Sequence, residues 1–300
     1  MQADLSMALY PYASLLLFQG AKYMKILIVD RDEMTTQLIK SKLEPLAHQV
    51  FVETVKNDAV ERAASEEFDV IFLDPNPLTS ARPIVLNIRR SVRNYPYIIL
   101  LGNEGSQEEA IKAGMNDYLA KPLDSDALMQ KMASAERLVE LVSRIGDDSE
   151  DFPSAGGVIA KSAFNQLFLS AIDRADRYGE KTFILFIFMS NYKEIFELDG
   201  PYAADYAVAK LSQYLVLLRR QSDIIGQTAK YEYALMLQRP QYETEPVDAA
   251  NRFAEAIGGF KDIVSSGATP VEVTVRLLDV PTGSAIVEHV ITPGDVETPA

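Results

Sequence analysis

Short apolar runs and amphipathic stretches alternate along the first half of the chain. Residues 25–29 read KILIV, a strand buried on both faces, and residues 34–46 place Leu38, Ile39, Leu43 and Leu46 on one helical face. The pattern repeats, predicting strands over 49–52, 70–73, 98–101 and 118–119, and helices over 58–65, 84–92 and 107–113. Buried strands alternating with helices predict an α/β fold with a parallel, doubly wound sheet, whose site lies at the carboxyl ends of the strands. The residues standing at those ends are Asp30, Asp74 and Lys121-Pro122.

A long helix is predicted from 124 to 145. At heptad spacing it carries Leu128, Ala135 and Val142, and Lys131, Leu138 and Ile145. That seam suits either a two-helix contact in a homodimer or a helix packed on its own sheet. Gly146 to Pro153 then reads as an acidic linker.

The pattern changes in the second half. Ser162 caps a predicted helix whose core face holds Phe164, Leu167, Phe168, Ala171, Ile172 and Ala175. An unbroken apolar run over 182–189 predicts a strand buried on both faces. Asp205 is expected to cap a helix over 206–219. Ile224-Ile225 and residues 233–237 read as the two strands of a hairpin, followed by a helix over 247–257 that carries Arg252 and by strands over 271–278 and 285–290. The expected organisation is an extension to residue 23, a first domain over 24–145, a linker over 146–156, an α+β domain over 157–292 and a tail over 293–300.

Composition narrows the function classes. At 300 residues and 48% hydrophobic content, two cores of ordinary size can be buried. The net charge of −14 opposes nonspecific binding to nucleic acid or anionic lipid. The absence of cysteine removes disulfides and thiolate sites, and the two histidines, His48 and His289, lie far apart and receive no role. The apolar stretch over 7–18 is broken by Pro11 and has no basic residue before it, so it fits neither a secretory signal nor a membrane helix. A flexible extension and a cytoplasmic location are expected.

The motifs Ile-Val-Asp at 28–30, Phe-Asp-Val-Ile-Phe-Leu-Asp at 68–74 and Ala-Gly-Met-Asn-Asp-Tyr-Leu-Ala-Lys-Pro at 113–122 resemble the receiver domain of two-component response regulators, over roughly 24–141. The resemblance implies a flavodoxin-like fold, Asp74 as phosphoacceptor, Asp30 as a magnesium-holding acid, Lys121 as the phosphate-binding lysine, Tyr118 as the switch aromatic, and a histidine kinase as partner. Three positions depart from it. Arg31 stands where a second acid is expected, which opposes Mg²⁺. Leu101 stands where a hydroxyl donor is expected. Pro75-Asn76-Pro77 stiffens the loop after Asp74. Either Asp74 still accepts phosphate, or the domain is a pseudo-receiver in which Arg31 pairs with Asp74 without magnesium; the latter reading is preferred.

The stretch Arg220 to Tyr233 resembles the GGDEF domain of diguanylate cyclases, extending from about 157 to 280. Its signature reads Ala229-Lys230-Tyr231-Glu232-Tyr233. Side chains at 229 and 230 obstruct the phosphates that glycines would admit, and Tyr231 cannot replace a metal-ligating acid. The metal-ligand position on the facing strand is Phe188, within Phe188-Met189-Ser190-Asn191-Tyr192-Lys193; Lys193 matches a phosphate-contacting lysine, Asp205 a guanine-reading position, and Phe196 replaces a guanine-reading asparagine. Arg220-x-x-Asp223, six positions before Ala229, matches the family's site for the product, cyclic di-GMP, with Arg252 or Arg219 as a second cation.

The resemblances imply a noncatalytic signalling protein that binds cyclic di-GMP through Arg220, Asp223 and Arg252 and recruits another protein, with no metal or cofactor required. The alternatives are a scaffold that binds no nucleotide, for which Arg220 and Asp223 are a local ion pair, and an active cyclase using Glu232 with Asp199 or Asp205.

Overall fold

The structure is a computed structural model that describes residues 23–92, 94–103, 105–147, 150–152, 156–220, 223–280 and 282–294. The extension expected to residue 23 lies, apart from Tyr23, outside the described residues, as do parts of the acidic linker and the last six residues of the tail.

The first domain is a five-stranded parallel sheet in the order β2-β1-β3-β4-β5, formed by Lys25–Val29, Gln49–Glu53, Val70–Leu73, Tyr97–Gly102 and Asp117–Ala120. Its helices are α1 (Glu33–Leu43), α2 (Lys56–Ser65), α3 (Arg82–Ser91), α4 (Gln107–Lys112) and α5 (Ser125–Gly146). Strand alternation sorts the side chains. Leu27, Val29, Ile71, Leu73 and Ile98 pack against α2, α3 and α4, whereas Ile26, Ile28, Val70, Phe72, Ile99 and Leu101 face α1 and α5. The parallel, doubly wound expectation holds, with element ends moved by one to three residues; the last three residues of the first expected helix form a separate 3-10 turn.

The second domain is a six-stranded sheet in the order β11-β10-β7-β9-β8-β6. Its strands are β6 (Val158–Ile159), β7 (Thr182–Met189), β8 (Ile224–Ala229), β9 (Glu232–Gln238), β10 (Val273–Val280) and β11 (Ala285–Ile291). All neighbours pair antiparallel except β6 with β8. One face carries α7 (Tyr192–Leu198), α8 (Pro201–Leu218) and α9 (Glu245–Gly259) over Leu185, Ile187 and Met189. The other face, with Ile184, Phe186, Phe188, Met236 and Val280, carries α6 (Lys161–Tyr178) and the far half of α5.

Helix α5 therefore belongs to both domains, and the two separate cores expected from composition are joined. Leu128, Ala135, Leu138 and Ile145 are fully buried in one apolar cluster that runs from Ile26 of β1 to Val280 of β10, with Val142 packed against it. Of the two readings of the heptad seam, packing within the chain is the one seen: Leu128, Ala135, Leu138 and Ile145 are buried in it, and Lys131 pairs with buried Asp117 at 2.7 Å. Polar contacts seal the junction. Tyr97 donates to the Thr282 carbonyl at 2.6 Å, and Arg137 donates to the Gly283 carbonyl at 2.8 Å.

Two capping expectations also change. The N-cap of α6 is Ala160, and Ser162 instead pairs its hydroxyl with Asp151 at 2.6 Å. Helix α8 starts at Pro201, after Gly200 at a φ of +90°, so Asp205 lies inside the helix and caps nothing.

Gly283 is the tightest point of the junction. Its φ is +68°, and a Cβ there would lie 2.4 Å from the Ser134 carbonyl oxygen and 3.1 Å from the Leu138 Cβ. Gly283→Ala is expected to destabilise the chain by about 2 kcal/mol or more and to raise protease sensitivity between α5 and β6. An unfolding midpoint equal to that of the wild type would show that the two domains do not meet this closely.

Candidate functional sites

At the carboxyl ends of β1 and β3, Asp30 and Asp74 are 3% and 6% exposed, too buried to remain charged without partners. Lys121, which follows β5, supplies one. Its Nζ lies 2.7 Å from Asp30 Oδ2 and 2.5 Å from Asp74 Oδ2. Burial opposes the lysine's charge, but hydrogen bonding and attraction from the two carboxylates outweigh it and raise its pKa. The Asp74 Oδ1 also accepts from the Asn76 amide at 2.8 Å.

Two further cations edge the pocket. Lys56, the first residue of α2, donates to the Asn76 carbonyl, and burial lowers its pKa while Asp74 and Asp30 pull the other way. Arg31 does not pair with Asp74, which corrects that expectation: its Nε donates to the Thr54 carbonyl at 3.3 Å, on the exposed rim. Asp32 meets the acids through its backbone, its amide donating to Asp30 Oδ1 at 2.9 Å, while its carboxylate is used elsewhere. It caps α1 by accepting from Met34 N and from the Thr35 hydroxyl, and the Thr35 bond lowers its pKa.

The family-implied Mg²⁺ fits this donor set poorly. The carboxylates of Asp30 and Asp74 and the Asn76 carbonyl, the oxygens a hard cation would take, are each engaged by a lysine ammonium, and Arg31 adds a third positive group. Leu101 is fully buried in the core and offers no donor, while the Tyr118 hydroxyl donates to the Gly102 carbonyl at 3.0 Å, beside this end of the sheet.

The hairpin tip of the second domain is filled by its own side chains. Ala229 ends β8 opposite Glu232 at the start of β9, with Lys230 and Tyr231 in the turn. Tyr231 stacks on Tyr192 with centroids 4.5 Å apart. Lys230 pairs with Asp205 at 2.9 Å, and Asp205 also accepts from the Tyr192 hydroxyl at 2.7 Å. Glu232, 3% exposed, accepts from the Thr228 hydroxyl at 2.6 Å and from Arg144 of α5 at 3.0 Å.

Phe188 and Tyr233 are buried in opposite faces of the sheet, and Ser190 bonds the Glu272 carbonyl through its amide at 2.9 Å. Lys193 is exposed on α7, Phe196 is partly exposed, and Asp199 holds the 265–269 loop through Thr269 N at 2.8 Å. The residues named at this tip are brought together as packing and ion pairs.

The opposite end of the same hairpin is open. Arg220, Asp223 and Arg252 line one cavity of about 220 Å³, together with Met236 of β9, Tyr242 of the following loop, and Glu245 and Asp248 of the first turn of α9. The Asp223 carboxylate accepts from the Arg220 amide at 2.8 Å and lies 3.6 Å from the Arg252 guanidinium. Arg219 turns the other way, towards Gly157, and donates to the Asp223 carbonyl at 3.4 Å. The sequence identified the three charged residues but missed Tyr242 and the acidic turn. It also missed Lys56 and Arg144. Lys56 had a legible signal, since it opens the helix after β2 on the edge where the other pocket residues sit; Arg144 had none, because its partner depends on how the domains dock.

Comparison with known proteins accords with the geometry of the first domain. Residues 26–133 match the response regulator receiver domain family. A chemotaxis protein CheY homolog of Campylobacter jejuni is 30% identical over 119 residues, covering 36% of this chain and 89% of that protein. The cell cycle transcriptional regulator CtrA of Caulobacter vibrioides is 25% identical over 117 residues, covering 38% of this chain and 51% of that protein. The chain spans about half the length of several of the curated relatives it matches. A two-component response regulator structure from Clostridium difficile aligns with a TM-score of 0.35 at 25% identity, covering 38% of this chain and 96% of that one. Among the described residues no helix is long and apolar enough to cross a membrane.

If the lysines occupy the cation's place, Mg²⁺ titration of the wild type gives no saturable signal at millimolar concentration. The double variant Arg31→Asp with Lys56→Ala gains one, because the substitutions remove two positive charges and add a carboxylate. Saturable wild-type binding below 1 mM, or a double variant that gains nothing, would refute this account; the order of magnitude is roughly that of weak carboxylate sites.

Proposed function

The chain belongs to the response regulator receiver family, and we propose that it is a noncatalytic signalling protein whose second domain binds cyclic di-GMP at Arg220, Asp223 and Arg252 and acts through protein–protein contact. The observation that carries this reading is convergence. Arg252 is distant from Arg220 and Asp223 in sequence, yet all three line one cavity at the start of β8 and the end of β9. Arginine forks onto phosphate or onto the O6/N7 edge of guanine, and a carboxylate accepts from guanine N–H groups. One site then offers partners for both parts of the ligand.

The filled hairpin tip supports the absence of catalysis. A substrate there would have to displace the Tyr192–Tyr231 stack and the Lys230–Asp205 pair, and Glu232 is already committed to Arg144 and Thr228. Phe188 presents a buried ring where a cyclase would need a metal ligand. In the receiver, Asp74 is held by Lys121, which supports a domain kept in one state by its own charges; a histidine kinase or phosphotransfer protein is the partner class that would act on Asp74.

Nucleotide-independent scaffolding is the second reading. It is favoured by the local satisfaction of Asp223, which already caps the Arg220 amide and faces Arg252. Calorimetric titration separates the two. Cyclic di-GMP is expected to bind the full chain with micromolar or tighter affinity, and Arg220→Ala to weaken binding at least about tenfold. No heat and no thermal shift for a folded wild type leaves the scaffold. Cyclic di-GMP formed from GTP and Mg²⁺, and lost in Glu232→Ala, would restore an enzyme.

A further inference from the structure

The cavity that holds Arg220 and Arg252 is not a simple anion site. Its lining sets these two cations against Asp223, Glu245 and Asp248, leaving one negative charge in excess. A free phosphate or a nucleoside triphosphate gains little in such a field. A ligand that brings N–H donors as well as a phosphodiester suits it better.

The acids are not equivalent. Asp223 is occupied by the Arg220 amide and by Arg252. Glu245 uses Oε2 to accept from the Gln241 amide at 2.6 Å, and Asp248 uses Oδ2 to accept from the Thr244 hydroxyl at 3.0 Å. These bonds fix the two carboxylates by one oxygen each. The Glu245 Oε1 and the Asp248 Oδ1 take no hydrogen bond from another described residue. Tyr242, 56% exposed, stands at the lip of the same cavity.

We propose that Tyr242 and the acidic first turn of α9, Glu245 and Asp248, form the base-selecting wall of the pocket: the ring stacks on a purine, and a fixed carboxylate oxygen accepts from the N1–H and N2–H groups of guanine. Adenine fits this wall less well than guanine, since it keeps one donor, N6–H₂, where guanine offers two adjacent ones. Its Watson–Crick edge presents an unprotonated N1, whose lone pair faces the carboxylate with no proton between them. With the Watson–Crick edge held by the wall, Arg220 meets the phosphodiester, a contact that either purine ligand retains. Discrimination therefore belongs to α9 and the loop before it, and general affinity to Arg220. This inference rests on the proposal that a guanine-bearing cyclic dinucleotide is the ligand.

The test uses the full chain titrated with cyclic di-GMP and with cyclic di-AMP, each against the wild type, Asp248→Asn, Glu245→Gln, Tyr242→Ala and Arg220→Ala, with folding checked by thermal melts. The wild type is expected to prefer the guanine ligand by about tenfold or more, because a base that lacks the paired donors leaves the half-buried Glu245 and the exposed Asp248 without their partners. Asp248→Asn or Glu245→Gln removes most of that preference, weakening the guanine ligand and sparing or improving the adenine one. Tyr242→Ala weakens both by roughly tenfold, as loss of a stacking platform does. Arg220→Ala weakens both without changing their ratio. If the wild type binds cyclic di-GMP but the two acid variants keep its full preference, the wall is wrong and the binding site stands. If the folded wild type binds neither ligand, both proposals fall.

Discussion

The structure depends on the burial of α5 between two sheets. A helix that closed only the first sheet would have one apolar stripe and a solvated back; here Leu128, Ala135, Leu138 and Ile145 lie in a single core that includes both Ile26 and Val280. Burying the two leucines and the isoleucine contributes about 1.5–3 kcal/mol each, and no second subunit is needed to obtain it. Polar groups drawn in with the helix find partners, Lys131 with Asp117, Arg137 with the Gly283 carbonyl, and Arg144 with Glu232 through one of its guanidinium nitrogens. Neither domain is structurally independent of the other.

Charge is handled in the same manner at both ends of the molecule. In the receiver pocket, two buried acids share the one ammonium of Lys121, with Lys56 on the neighbouring carbonyl. At the hairpin tip, Glu232 is neutralised by Arg144 across the domain boundary. A buried carboxylate missing its partner costs several kcal/mol, so these cations are structural requirements. The cavity with Arg220 differs, since its charges are only partly paired and remain open to solvent.

Local pattern made the first domain legible. Four of its strands are runs of apolar residues too short for helices, and their polar ends fall on one edge, so Asp30, Asp74 and Lys121 could be named before any contact was known. The misreadings came from choices that pattern does not fix. Arg31 was expected at Asp74 on charge alone, but Lys121 had already taken the carboxylate and Thr54 offered a carbonyl nearer the rim. Asp205 was read as a cap because of its type, although Gly200-Pro201 was the better start signal. The α5 seam has the spacing of a dimer helix, and no local rule distinguishes a partner's core from a second domain of the same chain. Arg144 and Gly283 could be assigned only once that docking was known.

The β8–β9 hairpin has one irregular step, a register shift between Gln227 and Ala229. The residue it sets apart is Thr228, which is 1% exposed and whose hydroxyl meets Glu232. Within β9 the alternation is unbroken: Met236, beside the cavity, and Glu232, which meets Arg144, share one face of the sheet, and the extra residue in β8 brings Thr228 to that glutamate. Deleting it would leave the buried Glu232 to Arg144 alone at the domain junction, while Ile224 and Met236 keep their pairing beside the cavity.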